Sequence, residues 1–318
     1  MRKWTSVVAA LALTVTGTLQ VAAQANPSPT HDDKAVVNGA PGSAVATVKA
    51  TPAIWKVKGA HGTVYLFGTI HVMRPEVAWE TGVVKAAFDA SDTVYVEVAN
   101  LDDQTAALPL AAQFGTDPAH ALSTKISKDD VALLDTAVKS LGLPGEAMLE
   151  PMRPWLVTMT VGLLPMIKAG YDPKSGVDAA LLDQARKANK KVEGFETMGQ
   201  QLHFVADEPE DEQAAKLHEL LAGMEKSVAA MNEMVAAWEK GDVTKLGTIE
   251  DGELKVKHPD EYKKLVLDRN TKWAATLDGV LKDPATGTVF VAVGAAHLAG
   301  EDSVVEMLKK DGWKVERE

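Results

Sequence analysis

The sequence predicts a mixed α/β domain, and three observations favour this class. Short segments rich in β-branched and aromatic residues occur toward both ends of the domain, at 54–57, 63–67, 93–98 and 289–293. Between them, residues 128–281 contain long stretches with apolar residues at helical spacing. No repeat with a period of roughly 20–50 residues is present. These features predict one mixed β-sheet with strands near both ends of the domain and a largely helical middle.

Each predicted element follows from local composition. The predicted strands are bounded by turn residues and cover 54–57, 63–67, 93–98, 191–195, 289–293 and 313–315. The predicted helices cover 75–90 (a loop and a short helix), 128–140, 154–169, 177–189, 209–240, 260–281 and 303–310. The first two strands are joined by a glycine-containing turn at 59–62, which predicts a hairpin. The continuously apolar segment 289–293 is typical of a buried central strand.

Composition limits the possible functions. The 318 residues include 33 Lys and Arg against 44 Asp and Glu, a net charge of −11, and no cysteine. The lack of cysteine excludes a disulfide framework, a cysteine nucleophile and thiolate metal sites, so any metal must be bound by His, Asp or Glu. Because an acidic chain repels phosphate, we expect no binding to nucleic acid.

The first 25 residues have the pattern of a secretory signal peptide. Arg2 and Lys3 precede an apolar run at 7–15, which is too short to span a bilayer, since that needs about 20 residues. Ala23 and Ala25 match the small-residue cleavage rule, so the cut is expected after Ala25. We therefore expect a periplasmic or secreted protein with no stable membrane anchor after signal cleavage.

The composition changes again at residue 52. Residues 26–51 are rich in Pro, Ala, Gly, Asn, Ser and Thr, which predicts a flexible linker. The chain from 52 to 318 carries all of the predicted strands and helices. The domain is therefore expected over 52–318.

Two segments, 65–71 and 291–297, resemble each other. Each is an apolar strand followed by Gly, two further residues and His, and the two histidines are His71 and His297. Ligands gather at the carboxyl ends of strands in open α/β sheets, and a glycine there permits a sharp turn. If the two strands are parallel neighbours, both imidazoles face one pocket. The alternative is a pair of structural histidines near strand ends.

Glu97 is the third candidate, at the end of an otherwise apolar or β-branched strand. Its carboxylate is either solvated at the strand end or held in a site. With His71 and His297 it would complete a two-His-one-carboxylate set, which suits Zn, Mn, Fe or Co. Alternatively, Glu97 is a general base for water, with a pKa raised by burial.

Three further polar residues are weaker candidates. Arg269 lies within the predicted helix 260–281, where a surface position is the ordinary outcome; facing the pocket, its charge would stabilise an oxyanion. Asp178 lies at a helix start, where an acid interacts favourably with the helix dipole and the free N–H groups. Glu196 follows the strand 191–195 and is either a second carboxylate of the site or a helix cap.

Other catalytic motifs are absent from the sequence. It contains no H-E-x-x-H, G-x-S-x-G, P-loop or G-x-G-x-x-G pattern, which argues against a zincin, a serine hydrolase with the usual elbow, and nucleotide-binding folds. The remaining histidines are predicted to be surface residues: His31, His61, His120, His203, His218 and His258.

Taken together, the pattern resembles the TraB/PrgY/GumN family, most closely its GumN-like bacterial branch. The matching segments are 55–57, 68–71, Glu97, 151–155, 176–178, 194–197 with 200–201, Arg269-Asn270 and 293–300. Their order and spacing fit along nearly all of 52–318. The set of segments is specific, although no single segment is.

The resemblance implies a fold related to the erythromycin-esterase and ChaN-like proteins, and a metal-dependent hydrolase. Tiki proteins of this family are proteases that need a divalent metal, two G-x-x-H histidines and an acidic residue. Carried over by motif, the metal ligands are His71, His297 and Glu97, with Arg269 as a supporting catalytic residue. The expected cofactor is a divalent ion of Mn, Co, Zn or Fe, and the expected partner is a peptide or small-molecule substrate.

The resemblance leaves three functions open. The first is a metal-dependent peptidase, for which His71→Ala and His297→Ala should each abolish activity without unfolding the protein. The second is a non-catalytic protein that binds haem or another ligand, as in the ChaN-like relatives. The third is a metal-free esterase with a histidine as general base.

Overall fold

A computed structural model describes residues 47–101 and 103–318. The signal peptide expected over 1–25 and most of the linker expected over 26–51 lie outside these residues. The described chain starts with β1 (Val48–Lys49), which pairs in parallel with β4 (Val77–Ala78). Ala50 is fully buried. Regular structure is therefore already present before the expected boundary at residue 52.

The main sheet is mixed, as the sequence predicts. Its strands are β2 (Ile54–Lys58), β3 (Thr63–Thr69), β5 (Thr93–Val98), β6 (Lys191–Glu196), β7 (Thr288–Gly294) and β8 (Val315–Arg317). Their order across the sheet is β6-β5-β7-β3-β2-β8. The four strands from β6 to β3 are parallel, and β2 is antiparallel to β3 and β8. The hairpin prediction is confirmed, and the last strand begins at Val315 rather than at residue 313.

The register of β3 and β7 places the two G-x-x-H segments side by side. Gly68 pairs with Val293 and Thr69 pairs with Gly294, so the two motifs are offset by one residue. Both strands are parallel and end at the same edge of the sheet. The chain segments that carry His71 and His297 therefore leave the sheet next to each other.

The helices surround this sheet. They are α1 (Gly82–Asp89), α2 (Gln104–Gly115), α3 (Lys128–Ser140), α4 (Pro154–Lys168), α5 (Val177–Lys187), α6 (Met198–Ala206), α7 (Glu210–Glu239), α8 (Val243–Lys257), α9 (Pro259–Tyr262), α10 (Asp268–Lys282) and α11 (Val304–Lys310). A π-helical turn, Lys263–Leu267, joins α9 to α10, so the single helix predicted over 260–281 is interrupted. Among these described helices, none has the length and apolarity that crossing a bilayer requires.

The sheet is buried on both faces, which explains the apolar run in β7. Side chains of a strand alternate between faces. Phe67 and Phe290 accordingly pack on the face covered by α1, α5 and α7, while Leu66 and Val291 pack with α10 and α11 on the other face. All residues of β7 after Thr288 are buried. The prediction of a buried central strand at 289–293 is confirmed.

Candidate active site

His71 follows β3 and is held by the start of α5. Its Nδ1 lies 2.8 Å from Oδ1 of Asp178, and both side chains are about nine-tenths buried. The backbone N–H of Val177 donates to the Ile70 carbonyl, and a Cβ on Gly176 would lie 2.2 Å from the His71 carbonyl oxygen. Because a carboxylate only accepts, Nδ1 carries a proton and donates it to Asp178.

His297 lies in a 3₁₀ turn directly after β7 and is held on both sides of its ring. Its Nδ1 donates to Oδ1 of Asn270 at 2.6 Å, and the Asn270 amide donates to the Asp302 carbonyl. Its Nε2 accepts from Nη1 of Arg269 at 3.0 Å. Burial, and then the charge of Arg269, lower the pKa of His297 to about 3. The imidazole is therefore neutral at physiological pH.

Arg269 is buried rather than on the helix surface, and it connects the other residues. Its Nε and Nη2 donate to the two oxygens of Glu196, and Nη2 also donates to Oε2 of Glu97 at 2.6 Å. Its Nη1 donates to the Leu265 carbonyl and to His297. All five N–H donors of the guanidinium thus have protein acceptors. This arrangement leaves no donor for an oxyanion, which argues against the role inferred from the sequence.

Glu97 is ionised, contrary to the expectation of a raised pKa. Burial alone would raise the pKa of this carboxyl, but the charge of the Arg269 guanidinium and the hydrogen bond from the Gly294 N–H outweigh burial and hold the pKa well below the ordinary value. Oε1 also accepts from the Gly294 N–H at 2.8 Å, and Oε2 accepts from Nε2 of Gln201 at 3.0 Å. A carboxylate stabilised in this way is a weak base, so the general-base alternative for Glu97 is not supported.

The three side chains converge at Gly294. A Cβ built on this glycine would lie 3.2 Å from Oε1 of Glu97, 3.5 Å from Nε2 of His71 and 3.7 Å from Cδ2 of His297. The absence of a side chain at Gly294 therefore lets these groups approach one another. The structure thus brings together the three residues that the sequence singled out.

A small cavity lies beside this point. Thr69, His71, Glu97 and Asp178 line it together with apolar residues, namely Val96, Val98, Leu101, Leu182 and Ala292. Its volume is about 10 Å³, which is close to the room that one water molecule needs. The cavity lies at the carboxyl ends of parallel strands, where α/β proteins bind ligands.

The buried charges favour a cation. Three largely buried carboxylates, those of Glu97, Asp178 and Glu196, are accompanied by one buried guanidinium, that of Arg269. The carboxylates thus outnumber the guanidinium by two. Imidazole nitrogen and carboxylate oxygen are also suitable ligands for a divalent transition metal. The residues therefore fit a divalent cation.

The fit does not extend to the predicted three-ligand set. Within residues 47–101 and 103–318, no three His, Asp or Glu side chains are arranged to hold a metal ion. The physical reason is Arg269, which donates to Nε2 of His297 and to Oε2 of Glu97. The groups compatible with a cation are Nε2 of His71 and Oε1 of Glu97, which both approach Gly294.

Sequence reasoning missed or undervalued several members of the site. Gln201 donates to both Glu97 and Glu196, and a capping box at Thr197 fixes the start of its helix, α6. Asn270 orients His297. Both residues belong to the segments that carry the family resemblance, but no pattern in the sequence indicated their contacts.

The structure describes a mixed α/β protein with a buried cluster of His, Glu and Arg side chains at the carboxyl edge of its parallel strands. The chain belongs to the TraB/PrgY/gumN family, whose model matches residues 53–317. The resemblance inferred from the sequence is thereby confirmed.

The individual relatives are distant. An uncharacterized protein of Treponema pallidum is 22% identical over 80% of each chain. The uncharacterized protein YbaP of Escherichia coli is 26% identical over 77% of this chain and 87% of its own length. A metalloprotease TIKI homolog of the sponge Amphimedon queenslandica is 28% identical over 116 residues, which are 36% of this chain and 23% of the sponge protein. No solved structure matches the chain significantly.

Proposed function

We propose that this protein is an exported hydrolase of the TraB/PrgY/gumN family that uses a divalent metal ion and acts on peptides. The observation that carries the proposal is the His71–Asp178 pair, whose Nδ1–Oδ1 distance is 2.8 Å, beside a cavity that Glu97 also lines. A carboxylate that accepts from Nδ1 fixes the tautomer of the ring and raises the basicity of Nε2. His71 is therefore the most reactive group of the cluster.

The residues have distinct roles in this proposal. His71 Nε2 and Glu97 Oε1 would hold the metal ion, and Asp178 orients the imidazole. Arg269 holds Glu97 in place, and His297 braces Arg269. The chemistry that a divalent ion supplies is a lowered pKa of water and a polarised carbonyl oxygen. Val96, Val98 and Leu182 make the cavity wall apolar, which strengthens electrostatic interactions there.

Peptides are the proposed substrates because of one relative. The sponge protein that shares 28% identity over 116 residues is named a metalloprotease TIKI homolog. Hydrolysis of an amide also needs activation of both water and carbonyl, which suits a metal site. The proposed relation to the erythromycin-esterase and ChaN-like folds rests on the same family membership.

A metal-free hydrolase is the second candidate, and the contacts of Arg269 favour it. Because Arg269 donates to His297 and Glu97, the guanidinium itself supplies positive charge within the cluster. In that case Nε2 of His71 takes the proton from water, and Asp178 stabilises the imidazolium. The third alternative, a haem- or ligand-binding protein, is favoured by no particular contact of the described residues.

Metal content of the purified protein tests the choice between the two hydrolases. We expect a near-stoichiometric transition metal by elemental mass spectrometry in the wild type and its loss in His71→Ala. His203→Ala is the matched control, since His203 forms a similar His–Asp pair with Asp207 but is exposed. Peptidase activity that a strong chelator removes and Mn²⁺ restores would support the metal. Activity that survives the chelator would favour the metal-free reaction.

Export is tested separately. We expect a mature N-terminus at Asn26, because the cut is predicted after Ala25. N-terminal sequencing of the protein recovered from a periplasmic extract or culture medium gives the answer. Recovery of the uncleaved chain in the cytoplasmic fraction alone would contradict export.

A further inference from the structure

Thr69 carries a buried hydroxyl that the contacts above do not explain. The residue is 1% exposed, and its Oγ1 has no hydrogen-bond partner among the described residues. A buried hydroxyl without a partner is costly, and native proteins therefore contain few of them. Thr69 consequently stands out as a residue whose hydroxyl serves something other than folding.

The surroundings of Thr69 differ from those of other buried threonines. The hydroxyls of Thr158 and Thr160 donate to the carbonyls of Pro154 and Leu156, four residues earlier in α4. Thr69 is instead the last residue of β3, where valine would fit a buried strand position equally well without a polar atom. Among the described residues, no contact of the hydroxyl favours threonine over valine there.

The hydroxyl is located at the candidate site. Thr69 lines the same cavity as His71, Glu97 and Asp178, and it pairs with Gly294 across the sheet. This cavity has room for about one water molecule. Apart from these four residues, the lining is apolar.

We propose that the hydroxyl of Thr69 binds the water molecule that the proposed hydrolysis consumes. This inference rests on the proposed function and adds a binding residue for the nucleophile. The Thr69 hydroxyl accepts a hydrogen bond from the water and forms no covalent bond. A lone pair of the water oxygen is thereby left free for the substrate carbonyl, and the water lies in the cavity that His71 and Glu97 also line.

Three variants separate this role from a structural one. Thr69→Val removes the hydroxyl at constant shape, Thr69→Ser retains it, and Thr160→Val is the control in which a satisfied buried hydroxyl is lost. We expect Thr69→Val to melt within about 2 °C of the wild type in EDTA, while Thr160→Val melts on the order of 2 °C lower. On a peptide library with Mn²⁺, Thr69→Val should lower kcat about 10- to 100-fold with little change in KM. Thr69→Ser should stay within about threefold, and Thr160→Val should be unchanged.

Crystal structures of the wild type and Thr69→Val provide a readout that is independent of activity. We expect an ordered oxygen within about 3 Å of Oγ1 in the wild type and its loss in the valine variant. A protein acceptor for Oγ1, or unchanged kcat in Thr69→Val, would overturn the role of Thr69. If the wild type cleaves no peptide, the proposed function fails. The electron density at Oγ1 then tests by itself whether Thr69 binds a water molecule. Ordered water on Oγ1 would support water binding, and its absence would refute it.

Discussion

Arg269→Met is expected to lower the free energy of unfolding by about 3–5 kcal/mol at neutral pH, because removing one partner of a buried ion pair leaves the other charge uncompensated. Methionine has a similar length and no charge, so the apolar contacts of the Arg269 stem are largely retained. The carboxylates of Glu97 and Glu196 would lose the only buried cation that contacts them among the described residues. The variant would therefore unfold more readily, or bind a metal or proton in compensation.

The stability lost in Arg269→Met should depend on pH, and the direction of this dependence follows from the pKa of Glu97. In the wild type this pKa lies below the ordinary value of 4.5, so the carboxylate stabilises the fold above about pH 4.5 and loses that contribution as the pH falls further. Without Arg269, burial becomes the dominant influence and raises the pKa of Glu97. The native variant then binds a proton more readily than its unfolded chain, so its relative stability increases as the pH falls. The difference between the two proteins should narrow between pH 7 and pH 4.

Chemical denaturation of the metal-free proteins at several pH values measures this difference. Arg186→Met is the control, because Arg186 is exposed on α5 and donates to the carbonyl of Ala99. Arg186→Met should lower the free energy of unfolding by less than about 1 kcal/mol, and this decrease should depend little on pH. A difference between wild type and Arg269→Met that widens toward pH 4 would contradict the electrostatic account of the cluster.

The sequence predicted the strands that carry this site better than the contacts between its side chains. The strands of the hairpin, the central strand and Glu97 were located from β-branched and apolar runs, because the pattern of a buried strand is local. The two matching strand ends raised parallel pairing of β3 and β7 as a condition, and the register of the two strands confirms it. The sequence alone therefore predicted that His71 and His297 lie close together if the two strands are parallel neighbours.

The contacts of Arg269 could not be obtained in this way. They depend on how α10 is rotated against the sheet, and the π-helical turn Lys263–Leu267 interrupts the predicted helix directly before it. Spacing alone favours the surface for such a charge. The same limit applies to Asp178, for which a favourable interaction with its helix start was a sufficient explanation until its partner His71 was located. Long-range polar contacts of this kind have no periodic signal in the sequence.

Substitutions of the two histidines should have different effects, although the sequence analysis assigned both residues the same role. His71→Ala is expected to lower peptidase activity by about 10²- to 10⁴-fold, the range for loss of a group that activates water. Its effect on stability should be smaller than that of His297→Ala, because the Asp178 carboxylate left behind remains in the first turn of α5, where the helix dipole stabilises it.

His297→Ala is expected to act mainly on stability, by about 2–4 kcal/mol, since it leaves a buried cavity and removes the partners of Asn270 and Arg269. It should also change the pH dependence. Because the pKa of His297 in the fold is about 3 and its ordinary value is 6.5, the unfolded chain binds a proton that the native protein does not. Wild-type stability therefore falls as the pH decreases from about 6.5 toward 3, and His297→Ala should lose this part of the acid sensitivity.

The activities of the His71 and His297 variants are compared at a temperature where both proteins remain folded, as shown by circular dichroism. At that temperature His297→Gln, which keeps a polar side chain near Asn270 and Arg269, should retain activity within about tenfold of the wild type, while His71→Gln should not. Equal loss of activity in two folded variants would mean that His297 takes part in the chemistry directly. Arg269 would then have to move away from Nε2 of His297 during turnover, because in the present arrangement its Nη1 donates to that nitrogen at 3.0 Å.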